Sequence, residues 1–363
     1  MGETTKRIQT FDIARGLAIT LVVLGHSIVL KESTWISHVI FLANLPIFFF
    51  LSGYFARPQS TPRAFYRGIN TLLLPYVVGA GLFFCTWSIF HNHFQMDVIE
   101  SILMGNAAPG YFPWFHGGYL DVAVGVFWFL PTMFLANILF QLILHVANKI
   151  NPNWQAYLVF FIGTSLSLGA ILIGWFGPMI GEARYPFGLL TAIHVQIFYA
   201  AGYLLNKMKK SAGMPVIVLN GWVTAGAVLI VYVTAMTGTY GLNNAYATQP
   251  ILAIVSGFGT SFILLRIARF IEENFARACT LISWAGRYSI VLYTLHALDF
   301  NVLNNNVVSA ILGISRGQSL LIWTLSLLWF VVRITVIYVT AQLLVKNYSV
   351  NKILVDRDWP MKA

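Results

Sequence analysis

The sequence predicts an all-α integral membrane protein with about ten transmembrane helices and both termini inside (N-in and C-in). Three observations predict it. Hydrophobic residues make up 58% of the 363 and charged residues 9%, whereas about a quarter of a soluble domain is charged. Apolar runs of roughly 20 residues, long enough to cross bilayer hydrocarbon, recur along the chain. Lys and Arg are sorted by side: with the N-terminus inside, seventeen of the 22 lie in cytoplasmic segments. Only Lys31, Arg184 and Arg316 lie on the opposite side, while Arg287 and Arg333 lie within or near spans. A bias this steep sets the orientation and requires an even number of spans.

In order, the apolar runs place spans near 13–31, 37–56, 69–90, 119–147, 154–174, 187–206, 214–236, 249–268, 279–300 and 318–345. Pro131 inside the long fourth span predicts a kink. The chain reads as a single transmembrane domain over 1–363. A cytoplasmic segment covers 1–11, the helical membrane core 12–345, and a cytoplasmic tail 346–363. The opening MGETTKRIQTFD has mixed charge, and no small-residue cleavage site follows the first apolar run, so a removable signal peptide is not expected.

Composition also excludes some functions. The net charge of +10 reflects positive-inside asymmetry rather than a nucleic-acid surface, so the expected surroundings are the lipid bilayer and no nucleic acid. Cys85 and Cys279 fall inside apolar runs and read as small buried hydrophobes. His91 and His93 form an HxH pair, but no Cys, His or Asp cluster accompanies them, so no metal is expected. A Walker-type phosphate loop and a Ser-centred nucleophile elbow are both missing.

Polar groups at membrane depth cost free energy, which makes them the functional candidates. The first span carries three: Asp12, Arg15 and His26. The eleven residues from Arg15 to His26 return to within about 20° of the same helical face, with His26 about 16 Å deeper. Asp12 falls within about 40° of that face. A guanidinium at the cytoplasmic mouth suits bidentate contact with a phosphate. An imidazole deep in the membrane suits proton transfer from a hydroxyl. The structural alternative is an Asp12–Arg15 pair at the interface, with His26 bonding helix to helix.

Ser52-Gly53, after a phenylalanine run, reads as a close helix contact through small residues. In the following loop Arg57, Arg63 and Arg67 are either ordinary positive-inside residues or an anion clamp beside Arg15. Arg63 and Arg67 are four apart and so share a helical face. In the ninth span Ser289, Tyr293 and His296 lie on one face. His296 is either a second polar group in the same cavity or an interfacial histidine. His145, His194 and Arg333 are isolated ionisable residues and receive no chemistry. The outer segments 91–118, 237–250 and 301–318 are rich in aromatic and amide residues, which suit sugar faces and hydroxyls or an ordinary aromatic belt.

Together these residues resemble the acyltransferase-3 family of integral membrane acyltransferases. FDIARGLAITLVVLGHS (11–27) carries the family's Asp-x-x-Arg-Gly start and its arginine-to-histidine spacing. PIFFFLSGYF (46–55), LLLPY (72–76), WFL (128–130) and GRYSIVLYTLH (286–296) follow in the expected order. The opening looks closest to the fucose 4-O-acetylase-like branch. Two positions depart: Asn70 stands where the family's second loop arginine would be, and Asn44 where that branch has histidine.

The resemblance implies an acyltransferase-3-like bundle in a bacterial cytoplasmic membrane. It implies transfer of acetyl from cytoplasmic acetyl-CoA, as co-substrate, to a hydroxyl of an extracytoplasmic or lipid-linked glycan. His26 and Asp12 become the catalytic candidates, and Arg15, Arg63 and Arg67 the residues for the acyl donor. Trp128, Tyr293 and His296 are the candidates for contacting substrate. Two alternatives stay open: succinyl or another acyl group moved to a periplasmic glucan, and a proton-coupled secondary transporter, which also uses intramembrane His, Asp and Arg.

Overall fold

The computed structural model describes residues 9–27, 35–91, 96–105, 110–111, 119–120, 123–177, 185–208, 220–316 and 318–356. Helices dominate it. The first half contains α1 (Gln9–Ser27), α2 (Trp35–Asn44), α3 (Pro46–Tyr54), α4 (Thr61–Gly68), α5 (Leu74–His91), α6 (Met96–Met104), α7 (Phe129–Ile150) and α8 (Gln155–Phe176). The second half contains α9 (Leu189–His194), α10 (Gln196–Met208), α11 (Gly221–Thr237), α12 (Pro250–Asn274), α13 (Ala276–Arg287), α14 (Ser289–Asp299), α15 (Asn305–Ser315) and α16 (Ser319–Leu344). Two small antiparallel hairpins join helices. β1 (Gly110–Tyr111) pairs with β2 (Tyr119–Leu120), and β3 (Tyr240–Gly241) pairs with β4 (Tyr246–Ala247).

Among the described residues, six helical stretches are long and apolar enough to cross a bilayer: 35–54, 61–89, 125–150, 152–176, 250–274 and 319–344. The stretch 186–208 adds a seventh if its two halves, bent by 47°, form one span. The other three predicted spans are also helical, each with a physical reason for falling short. In α1, Gln9, Asp12, Arg15 and His26 dilute the apolar run. α11 has 17 residues. The ninth stretch is broken at Tyr288, between α13 and α14.

The outward faces are apolar, as lipid requires. On α16, Leu320, Leu328, Val332, Val336 and Leu343 are exposed, while Arg333 is 2% exposed. That arrangement inverts a soluble helix and fits one wedged between hydrocarbon and a polar interior.

Two predicted features differ. Pro131 does not kink a long helix. It lies in the first turn of α7, where a missing N–H leaves no bond unmade. The segment 301–318, read as an outer loop, is mostly helical: a π-helical turn at Phe300–Asn304 leads into α15. The aromatic segment 91–118 lies largely outside the described residues, and so does His93.

α1 runs through the centre of the bundle and packs against α13, α12 and α2. Its seam with α13 is backbone on backbone. A Cβ on Gly16 would lie 2.1 Å from the Ile282 carbonyl oxygen, and one on Gly286 would lie 1.7 Å from that of Asp12. α3 and α10 meet the same way. A Cβ on Gly53 would reach the Tyr199 carbonyl oxygen at 1.9 Å, and one on Gly202 that of Phe50 at 2.1 Å. Small residues let membrane helices approach closely, so the Gly16 motif holds α1 against α13 and the Gly53 motif holds α3 against α10.

Candidate functional site

The start of α1 is tied down locally. Thr10 donates to the Glu272 carboxylate at the end of α12, and the Cys279 thiol donates to Gln9 at 3.3 Å. Asp12 is buried one turn later, and its Oδ1 lies 3.7 Å from Arg15 Nη1. The Arg15 guanidinium also lies over the Phe55 ring, 5.5 Å from its centroid. Arg15 is thus held between a carboxylate and an aromatic face.

Beside it opens a cavity of about 560 Å³, within the range of small-molecule sites. Four arginines from three parts of the chain line it: Arg15, Arg57 and Arg67, and Arg287. Ser52, Asn137, Gln141 and Ser289 add polar groups. Leu45, Phe48, Val22 and Phe129 make the wall apolar further in. Gln141 holds the loop carrying Arg57: its Nε2 donates to the Arg57 carbonyl at 3.3 Å, and its Oε1 accepts from the Gln59 N–H at 3.1 Å. The break between α2 and α3 at Leu45-Pro46 brings Leu45 to the wall.

Tyr293 lines the inner part of the cavity, and its hydroxyl donates to the Val126 carbonyl. One turn beyond Val22 and Tyr293 the two histidines meet. The His26 and His296 rings stack with centroids 5.4 Å apart and planes 30° apart. Phe41 and Phe300 pack edge-on against His26 at 5.6 and 5.0 Å.

A polar cluster carries this pair. Arg333 is ion-paired with Asp299, and its Nη1 donates to Ser27 Oγ at 3.1 Å. Its Nη2 lies 3.0 Å from His296 Nδ1. Ser27 passes its own proton to the Val23 carbonyl at 2.6 Å. Asn304, in the π-helical turn, donates to the His26 carbonyl at 2.9 Å and accepts from Trp329 Nε1 at 2.9 Å. That bond satisfies a carbonyl that the end of α1 would otherwise leave orphaned.

The predicted residues therefore sort as follows. Arg15, Arg67 and Tyr293 line the cavity, and Asp12 braces Arg15. His26 and His296 stack just beyond its inner end. Arg63 is exposed on α4 and does not line the cavity. Trp128 is buried behind the wall and packs edge-on against Phe129, which does line it.

Sequence reasoning weighed Arg57 as part of an anion clamp without carrying it to the donor residues, and it missed Arg287 as a cavity residue. It also missed Arg333 and Asp299 as the support of His296. The second miss had a signal, because Asp299 and Arg333 are opposite charges in consecutive predicted spans, 279–300 and 318–345. His194, given no chemistry, is fully occupied. Its Nδ1 lies 3.0 Å from Ser167 Oγ and its Nε2 2.7 Å from the Tyr240 hydroxyl. Burial raises the Tyr240 hydroxyl well above its ordinary pKa, so it stays a donor. This His194 cluster fastens the β3–β4 hairpin to the bundle. No three His, Cys, Asp or Glu side chains converge to hold a metal among the described residues.

Comparison with known proteins decides the family. The profile described as "Acyltransferase domain" matches residues 8–341. The chain belongs to the acyltransferase-3 family. The protein is thus a multi-pass membrane acyltransferase, and an acyl donor is its co-substrate. The acyltransferase is similar to nodulation protein NolL of Mesorhizobium japonicum, at 24% identity over 309 residues, covering 73% of this chain and 76% of that protein. No solved structure matches it.

Proposed function

We propose that the protein is an O-acetyltransferase of a bacterial cytoplasmic membrane, close to the fucose 4-O-acetylase-like branch. It moves acetyl from cytoplasmic acetyl-CoA to a sugar hydroxyl of an extracytoplasmic or lipid-linked glycan. The observation that carries this reading is the polarity of the site along α1. Four arginines line the cavity, apolar residues of α1 and α3 line it as well, and a histidine pair stacks one turn beyond Val22 and Tyr293 of its wall. Coenzyme A has the matching layout, with phosphates at one end and a thioester on a long arm at the other. Arginine binds phosphate through paired, charge-assisted hydrogen bonds.

The phosphates of the donor meet Arg15, Arg57, Arg67 and Arg287 on the cytoplasmic side, and Asp12 orients Arg15. The arm passes Val22 and Tyr293. The acceptor hydroxyl arrives from the opposite side. His26 takes its proton as the oxygen attacks the thioester carbonyl carbon, then returns a proton to the departing thiolate. General-base assistance of this kind contributes about 10²–10⁴-fold.

Mass spectrometry of surface glycans from cells with and without the gene tests the reading. The expected result is the loss of one acetyl unit per repeat. Loss of a succinyl unit would replace the donor, and an unchanged glycan profile would refute glycan acylation.

A further inference from the structure

The polar cluster around Arg333 leaves His296 with a defined protonation state. Guanidinium nitrogens are donors only. With Arg333 Nη2 3.0 Å away, His296 Nδ1 must accept. The neutral ring therefore carries its proton on Nε2. Protonating Nδ1 would set a donor against a donor, so His296 cannot accept a proton while this bond stands. The two histidines are consequently not interchangeable. His26, whose backbone is fixed by Asn304, can serve as a base, whereas His296 can only donate.

The remaining groups of the cluster are engaged. Arg333 gives to Asp299, Ser27 and His296, Ser27 gives to Val23, and Asn304 gives to His26 and accepts from Trp329. His296 Nε2 is the exception. The side chain is fully buried, and among the described residues nothing accepts from this atom. A buried donor without a partner is destabilising and needs an explanation. Here it lies beside the proposed base, one turn beyond the Tyr293 that lines the donor cavity.

We infer that His296 Nε2–H is the oxyanion donor of the acyl transfer, held in its donor tautomer by the Arg333–Asp299 pair. The inference rests on the proposed role of His26. In the step, the acceptor O–H loses its proton to His26 and a C–O bond forms at the thioester carbonyl carbon. The carbonyl π pair moves onto oxygen, and that oxyanion takes the hydrogen bond from His296 Nε2–H. Collapse re-forms the carbonyl and breaks the C–S bond, and the thiolate leaves with the proton from His26. A donor aimed at charge that exists only in the transition state raises turnover without tightening ground-state binding.

The test measures CoA thiol release from acetyl-CoA by native membranes, which supply the acceptor, together with CoA binding by the purified protein. His296→Ala is expected to lower kcat about 10²–10³-fold. KM for acetyl-CoA should stay within about twofold, the pattern of an interaction made only in the transition state. His296→Gln offers an amide N–H near the Nε2 position and should return kcat to within about tenfold of wild type.

The inference is overturned if His296→Ala raises KM at unchanged kcat, if alanine and glutamine are equally impaired, or if both lose CoA binding. His26→Ala separates the two claims. If it turns over normally, the base assignment in the proposed function fails. If it is inactive while His296→Ala is unimpaired, only the present inference fails.

Discussion

Breaking the Arg333–Asp299 pair should cost more stability than any surface change in the protein. Arg333 is 2% exposed on a helix that also presents an apolar outer face, and among the described residues its charge is balanced by Asp299. Replacing Asp299 with Ala leaves a guanidinium buried with only neutral partners, Ser27 and His296. Removing one partner of a buried pair typically costs about 3–5 kcal/mol, because the remaining charge stays desolvated.

Arg333→Met should cost less, about 2 kcal/mol, since the Asp299 side chain is 17% exposed and can reach polar surroundings. The double variant Asp299→Ala/Arg333→Met removes both charges. It should be more stable than Asp299→Ala alone, with a coupling of about 2–3 kcal/mol. Equilibrium unfolding in mixed micelles measures all four proteins. If Asp299→Ala costs less than about 1 kcal/mol, or if the two changes add, the pair does not support the histidines as described.

Other substitutions test the remaining links. Arg67→Ala and Arg287→Ala should each weaken CoA binding at least about tenfold, whereas Arg63→Ala, outside the cavity, should change it less than about twofold; titration calorimetry reads all three. Arg15→Lys should also weaken binding, because an ammonium cannot replace a planar two-pronged contact; unchanged affinity would remove Arg15 from the donor site. Gly286→Val would drive side-chain atoms into the Asp12 backbone, where even a Cβ has 1.7 Å, so α1 must shift and the protein should lose CoA binding along with thermal stability. His194→Phe removes the tie to Tyr240 and Ser167, none of which lines the cavity, and should lower thermal stability while leaving kcat nearly unchanged.

Much of this site was legible in the sequence because it lies on one helix. The spacing of Asp12, Arg15 and His26 follows from helical geometry alone, and the structure keeps Arg15 at the cavity and His26 beyond its inner end. The arginines were harder. Arg287 is remote in sequence from Arg15 and meets it because Gly16 and Gly286 let α1 and α13 touch; Arg57 comes to the same cavity on the segment between α3 and α4. Arg63 follows the charge pattern as well as Arg67 does, yet it sits one turn nearer the start of α4 and does not line the cavity. Arg333 looked isolated because its partner stands 34 residues earlier, at the far end of the preceding predicted span, and only their opposite charges link the two in the sequence. The π-helical turn at 300–304 escaped notice for a related reason: its asparagines read as loop, whereas Asn304 is buried and bonded to both α1 and α16.

The central claim is that acetyl passes from a donor bound at the arginine mouth to a hydroxyl arriving from the other side, with His26 between them. Proteoliposomes of known orientation test it most directly, with labelled acetyl-CoA supplied on the side of Arg15 and a glycan acceptor on the opposite side. The account predicts label in the glycan for the wild type and none for His26→Ala, with CoA binding preserved in both. Equal labelling by the two proteins, or release of labelled acetate across the membrane without transfer, would contradict it.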